Sequence, residues 1–245
     1  MKKFNNVLIT NDDGYSSEYL KVIYEKMKKY ANNVIVIAPL VTQSAKSSSV
    51  SITNSVTVTE MEENIFALSG TPVDCVSYAV NHLNIDFDLV VSGCNIGENI
   101  GRDIVYSGTC GAALEATFNK IPAVAFSTAR GNLQIVKDEF DSVFETILEN
   151  DLISKDYTLN VNFPTSERSR GIKVARVSDK MDDITYEGKN DELFAKRIYG
   201  KEHPSINDTD WWCYTNGYIS LTPLIPTYFD EKSFNLLSKK FAKSK

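Results

Sequence analysis

Val7-Leu8-Ile9-Thr10-Asn11-Asp12-Asp13-Gly14 carries an apolar strand directly into two adjacent carboxylates and a glycine. Neighbouring residues of a strand point to opposite faces, so Asp12 and Asp13 can converge on one point only if the strand ends at them. Gly14 permits that end because it has no Cβ to restrict the backbone. Two readings stand at this point: a metal-binding strand exit, or an exposed Asn-Asp-Asp-Gly turn, since all these residue types suit turns. The rest of the chain has to decide between them.

Working outward, Tyr19, Leu20, Ile23, Tyr24, Met27 and Tyr30 recur at helical spacing and predict a helix with one buried face. Val34-Ile35-Val36-Ile37-Ala38 is a continuous apolar run closed by Pro39, the pattern of a strand covered on both faces. Strand, helix and strand within about forty residues make a parallel crossover unit. Thr71-Pro72-Val73-Asp74 reads as a capping residue, a first-turn proline and an acid placed to close a capping box. Phe87-Asp88-Leu89-Val90-Val91 and Ile121-Pro122-Ala123-Val124-Ala125-Phe126 read as further strands, with helix expected over 112–118. Leu133, Val136, Phe140, Val143, Phe144, Ile147 and Leu148 mark a long amphipathic helix. The expectation is α/β, an open, doubly wound sheet.

Beyond residue 150 the pattern weakens. Leu159-Asn160-Val161-Asn162-Phe163, Ile172-Lys173-Val174-Ala175-Arg176-Val177 and Gly217-Tyr218-Ile219-Ser220-Leu221-Thr222 read as strands, and 234–241 as a terminal helix. Between them, 178–216 is polar and without a clear period, an arm or long loop.

At 245 residues, with 42% apolar and 24% charged residues, the composition fits an ordinary globular protein, read as one domain over 1–245. No apolar stretch approaches the roughly 20 residues of a membrane span, so a soluble cytoplasmic protein without a membrane partner is expected. A net charge of -6 argues against binding nucleic-acid polymers, which takes a basic surface. Cys75, Cys94, Cys110 and Cys213 form no Cys-x-x-Cys pair, and His82 and His203 lie far apart, which argues against zinc. Each cysteine sits among apolar or small residues, so buried reduced thiols are expected.

In an open parallel sheet, ligands bind beyond the carboxyl ends of the strands. Three predicted exits carry oxygen donors: Asp12 and Asp13; Thr42-Gln43-Ser44-Ala45-Lys46-Ser47-Ser48-Ser49; and Ser92-Gly93-Cys94-Asn95-Ile96-Gly97. Carboxylate, hydroxyl and amide oxygens suit a hard divalent cation such as Mg2+ or Mn2+. Ser107-Gly108-Thr109 precedes the helix of Ala112, where free N–H groups favour an anion. Alternatively, it simply caps a helix after a flexible loop. No Walker loop is present, and Gly93, Gly97 and Gly101 are spaced by fours, unlike a dinucleotide fingerprint. Adjacent acids followed by Gly14 and Tyr15 also lack the spacing of an aspartyl-phosphate nucleophile.

Taken together, Asn11-Asp12-Asp13-Gly14, Ala38-Pro39 with Gln43-Ser44-Ala45-Lys46-Ser47, Gly70-Thr71-Pro72-Val73-Asp74-Cys75-Val76, Val91-Ser92-Gly93-Cys94-Asn95-Ile96-Gly97, Tyr106-Ser107-Gly108-Thr109 and Gly217-Tyr218-Ile219-Ser220-Leu221-Thr222-Pro223-Leu224 resemble the SurE survival-protein family of nucleotidases. The resemblance spans nearly the whole chain and is loosest over 178–208. It implies a Rossmann-like, mostly parallel sheet with a carboxyl-terminal oligomerisation arm at about 178–216, assembled as a homodimer or homotetramer. It also implies a metal-dependent phosphomonoesterase acting on nucleoside 5'- and 3'-monophosphates. One divalent ion would be held by Asp12, Asp13, Ser44 and Asn95. Gly97, Ser107, Gly108 and Thr109 would bind substrate, and Asp12 and Asp13 would be catalytic, with Asp13 favoured as proton acceptor.

The family usually has Arg before the ligand serine and Gly after it, whereas this chain has Gln43 and Ala45; near the first helix it has Ser17 and Tyr19 where Ala and Gly are common. Lys46 or Arg102 is the expected substitute for that guanidinium, although a lysine lacks bidentate geometry. The altered loop leaves one alternative from another class, a nonenzymatic nucleotide- or metal-binding regulator.

Overall fold

The computed structural model describes residues 4–179, 183–189, 192–198, 207–227 and 230–242. The amino-terminal half alternates β1 (Phe4–Thr10), α1 (Glu18–Met27), β2 (Ala31–Pro39), β3 (Val58–Glu62), β4 (Ile65–Leu68), α2 (Pro72–His82) and β5 (Leu89–Ile96). The chain continues through α3 (Asp103–Tyr106), α4 (Gly108–Phe118), β6 (Ala123–Thr128), α5 (Leu133–Glu149), β7 (Thr158–Phe163) and β8 (Ile172–Val174). It ends with β9 (Asp183–Lys189), β10 (Glu192–Ile198), α6 (Asp210–Thr215), β11 (Ile219–Leu224) and α7 (Glu231–Ala242).

Nine strands form one sheet in the order β3-β4-β2-β1-β5-β6-β7-β11-β8. From β4 to β7 every pairing is parallel, while β3 and β11 run antiparallel to their neighbours β4 and β7. Successive residues of β1 feed opposite cores: Val7 and Ile9 pack under α1 and α5, whereas Leu8 packs under α2 and α4. That two-sided burial is why the central strands read as unbroken apolar runs. The sheet is therefore doubly wound, as expected. After β1 the chain builds β2 on one side and later returns to lay β5 on the other, so the carboxyl end of β1 is a topological switch point.

Local chemistry explains several boundaries. Thr71 Oγ1 accepts from Asp74 N–H at 3.1 Å, and Asp74 Oδ2 accepts from Thr71 N–H at 2.8 Å, the reciprocal capping box that starts α2. All four cysteines are free and buried, and burial pushes each thiol above its ordinary value. Among the described residues, no helix is long and apolar enough to cross a membrane.

Other boundaries differ from the sequence reading. β5 does not stop at Val91 but pairs with β6 as far as Ile96, with a register shift between Ser92 and Asn95. Gly93, which looks like a turn residue, makes that irregularity possible: its φ is +125°, and a Cβ there would drive into the Phe126 carbonyl. β8 is shorter than the expected 172–177; past Val174, Ala175 still donates to Leu221 and Arg176 bridges Thr209. β11 runs through Pro223, close to where its pairing with β8 has ceased. Part of the supposedly irregular 178–216 is ordered: β9 and β10 form an antiparallel hairpin, and Thr209 caps α6 through Trp212 N–H.

Candidate active site

The acid turn is locked by its own side chains. Asn11 is buried, its Oδ1 accepts from Gly14 N–H at 3.1 Å, and its Nδ2 donates to the Gly14 carbonyl at 3.0 Å. Gly14 holds φ +103°, a backbone conformation that glycine adopts without strain, and it lies in van der Waals contact with the Pro39 carbonyl. Tyr15 N–H donates to Pro39 and Gln43 N–H to the Asp12 carbonyl, which ties the exits of β1 and β2 together.

Asp12 is 4% exposed, and its Oδ1 accepts from Thr109 Oγ1 at 2.6 Å. Burial pushes its carboxyl from 3.8 up to about 6; the Thr109 hydrogen bond opposes the rise and the Asp13 charge adds to it. Asp13 is half-buried, and its Oδ2 accepts from Ile96 N–H at 3.0 Å. Burial raises it too, against the Ile96 hydrogen bond and the positive charge of Arg130. Two neighbouring carboxylates are thus kept partly out of water with weak compensation.

A cleft of about 500 Å3 opens beside them. It is lined by Asp12, Ser44, Asn95, Gly97 and Ser107, which the structure brings together from separate strand exits and the start of α4. Asn95 Nδ2 donates to the Gly97 carbonyl at 2.9 Å, leaving its Oδ1 without a protein donor among the described residues. Carboxylate, serine hydroxyl and amide oxygens are the donors a hard cation takes, and a positive ion would relieve the two raised acids, so the residues fit a divalent metal. Among the described residues no three of His, Cys, Asp and Glu cluster as ligands, so a site here draws on neutral oxygens as well.

The turn leading into α4 has divided duties. Ser107 caps the helix by accepting from Cys110 N–H at 3.0 Å. Thr109 is fully buried, and its hydroxyl is spent on Asp12. Gly108 lies against the same acid, where a Cβ would meet both Asp12 Cβ and Pro72 Cγ at 3.0 Å. The Gly108 amide precedes the first internal bond of α4, from Gly111 to Ser107, while the Thr109 backbone N–H, like its hydroxyl, is turned to the Asp12 carboxylate.

A family model described as Survival protein SurE matches residues 7–183. The chain belongs to the SurE family. A protein named 5'-nucleotidase SurE from Clostridium botulinum (strain 657 / Type Ba4) is 35% identical over 249 residues, 96% of this chain and 97% of the relative. Its counterpart from the Alaska E43 strain is 32% identical over 256 residues, covering 96% and 99%. The crystal structure of the SurE protein from Aquifex aeolicus superposes with a TM-score of 0.82 at 30% identity, covering 95% of this chain and 99% of that one.

Several groups that shape this SurE-family cleft were absent from the sequence reading. Asn162 accepts from Asn99 N–H at 2.8 Å, Asn160 and Asn162 donate to the Asn99 carbonyl at 2.8 and 3.1 Å, and Asn99 Nδ2 donates to Ser127 at 2.8 Å. This clamp fixes the loop between Gly97 and Arg102 from beneath. Buried Asp210 holds the same loop by accepting from Gly101 N–H at 2.9 Å. The adjacent Thr209-Asp210 was a legible helix start; the asparagines carried no signal beyond lying in a strand. Of the cations expected to serve phosphate, Lys46 does not line the cleft, while Arg102 lines it with its Nε and Nη2 on the Tyr106 hydroxyl.

Proposed function

We propose that this protein is a metal-dependent phosphomonoesterase that hydrolyses nucleoside 5'- and 3'-monophosphates to nucleoside and phosphate. The observation that carries this reading is the contact between the acid turn and the start of α4: Asp12 lies directly against Gly108 and Thr109. Oxygen donors for a cation and the start of α4, which Ser107 opens on the cleft wall, thereby lie side by side. The relatives named 5'-nucleotidase SurE support the same reaction class.

One Mg2+ or Mn2+ ion on Asp12, Asp13, Ser44 and Asn95 would polarise the phosphoryl group and lower the pKa of a bound water. The chain's own residues supply the rest. Ser107 keeps its hydroxyl proton to donate while its oxygen caps α4, and this hydroxyl and the Gly108 amide orient the phosphoryl oxygens. Thr109 fixes Asp12 in one orientation. Asp13, the more exposed acid, keeps Oδ1 without a hydrogen-bond partner among the described residues, and we assign it the proton taken from the attacking water.

We place self-association in the carboxyl-terminal region, as a homodimer or homotetramer. Phe234, Leu236, Leu237 and Phe241 on α7, and Tyr186, Leu193 and Phe194 on the hairpin, are more than half exposed. Light scattering on the full chain measures the assembly.

The reaction is tested with the full chain and nucleoside 5'- and 3'-monophosphates, with Mg2+ or Mn2+ and with chelator. Phosphate release that chelator abolishes and either ion restores is the expected result. Nucleotide binding without metal-dependent release would establish the regulator reading instead.

A further inference from the structure

We propose that Arg130 is the guanidinium that grips the substrate's phosphoryl group, a role that rests on the phosphomonoesterase reading above. A dianionic phosphate beside two carboxylates needs a positive side chain as well as amides, and an arginine matches its oxygens two at a time. The serine loop brings none to the cleft: Ser44 and Ala45 line it and Lys46 does not. Among the described lining residues the cations are Arg102, Arg130 and Lys196.

Two of these three are already engaged. Arg102 donates to the Tyr106 hydroxyl from Nε at 3.1 Å and Nη2 at 2.8 Å, with its guanidinium against the Tyr106 ring. Lys196 lies 2.9 Å from both carboxylate oxygens of Glu187 on the partner strand of the hairpin. Arg130 has no hydrogen-bond or ion-pair partner among the described residues. It is an exposed side chain that lines the cleft along with Asp12, Asn95 and Ser107, and its charge is felt by the Asp13 carboxyl.

The backbone under Arg130 is held firmly although its side chain is free. The Thr128 carbonyl accepts from Gly97 N–H at 2.8 Å, so the exit of β6 is fastened to the loop that carries Asn95 and Gly97. Asn132 closes the turn by donating to the Ala129 carbonyl at 2.9 Å, and its side chain donates to Pro164 and Ser166 at 3.1 and 2.9 Å. Ala129 is buried and Gly131 takes φ +83°, so the turn projects Arg130 from a fixed base. A free cation on an anchored turn suits recognition of an anion that arrives and leaves with each turnover.

The test compares wild type, Arg130→Gln, Arg130→Lys and Arg102→Gln in the full chain. It reads KM and kcat for a nucleoside 5'-monophosphate, calorimetric binding of inorganic phosphate in the presence of Mn2+, and binding of Mn2+ alone. Arg130→Gln is expected to weaken phosphate binding and raise KM about tenfold or more, with Mn2+ binding undiminished and an unchanged melting temperature. Arg130→Lys should recover only part of the loss. Phosphate affinity within twofold of wild type in Arg130→Gln would overturn the assignment, as would an equal loss in Arg102→Gln. Wild-type chain that binds phosphate but releases none from any monophosphate would instead defeat the reaction assignment, and the calorimetric comparison would still decide on Arg130.

Discussion

The acid turn at 11–14 and the serine loop at 42–50 both deliver oxygen donors to one cleft, yet they are built in opposite ways. The acid turn is buried, stapled by Asn11 and backed by Gly108 and Thr109. The serine loop is mostly exposed, and Ala45 and Ser47 sit at φ 57° and 55°, a left-handed conformation that costs a non-glycine residue about 1 kcal/mol or more. Gln43 N–H to Asp12 and Ser47 N–H to Tyr106 pin it on either side of Ser44. Beyond them, Ser47 Oγ donates to the Val105 carbonyl and Thr71 Oγ1 to the Ser49 carbonyl, each at 2.7 Å. The core therefore fixes the charged half of the site, and β5 fixes Asn95 with it, while Ser44 sits on the exposed loop and forms the adjustable half.

Asp12→Asn strikes the rigid half and carries the largest expected effect. Loss of the charge should lower turnover on the order of a thousandfold, by weakening metal binding and the stabilisation it brings. Metal-free protein should at the same time become more stable at neutral pH, by at most about 3 kcal/mol, the equivalent of a rise from 3.8 to about 6. Phosphate release and thermal melts check both. Activity within tenfold of wild type would remove the acid turn from the chemistry.

A pH dependence follows from the same carboxyl. Between 3.8 and about 6 the folded metal-free chain keeps a proton on Asp12 that the unfolded chain has lost. Asp12 therefore lowers stability progressively as pH rises through that window, and the penalty is complete above it. The melting-temperature gap between Asp12→Asn and wild type should widen from pH 4 to about pH 6 and then level off. A gap that stays constant throughout would mean that Asp12 is not desolvated as described.

Thr109→Val removes the 2.6 Å hydrogen bond and leaves buried Asp12 without its side-chain donor. A loss of about 1–3 kcal/mol in stability at neutral pH is expected, with a fall in kcat/KM of about tenfold. Ser44→Ala, in the adjustable half, should change stability by no more than about 0.5 kcal/mol and reduce kcat/KM less than Thr109→Val does. If Ser44→Ala proved as damaging as Asp12→Asn, the division between rigid and adjustable halves would be wrong.

The architecture was readable where the signal was local. Helical spacing in α1 and α5, unbroken apolar runs in β1 and β2, and the Thr71 capping box each lie within a few residues, and the sheet follows from their alternation. The edge strand β3 escaped because Thr59, Glu60, Met61 and Glu62 are exposed and leave no alternation to read, and β4 because its apolar run, Ile65–Leu68, is only four residues long. The hairpin escaped for the same reason, with exposed residues on both of its faces. At the candidate site, Asp12, Asp13, Ser44 and Asn95 announce themselves as oxygen donors near strand exits, whereas the groups that hold them are long-range. Thr109 meets Asp12 across 97 residues, and Asn162 meets Asn99 across 63. Arg130 occupies an ordinary surface turn, and only the folding of β6 beside β5 brings it to the acids.

The sealed thiols have a practical consequence for measuring motion in the serine loop. With Cys75, Cys94, Cys110 and Cys213 all fully enclosed, a maleimide or spin-label reagent meets no native sulfur while the chain is folded. A single cysteine placed at exposed Val50 would then be the only labelled position, and its spectrum would report on that loop alone, with no need to strip the core of its own sulfurs.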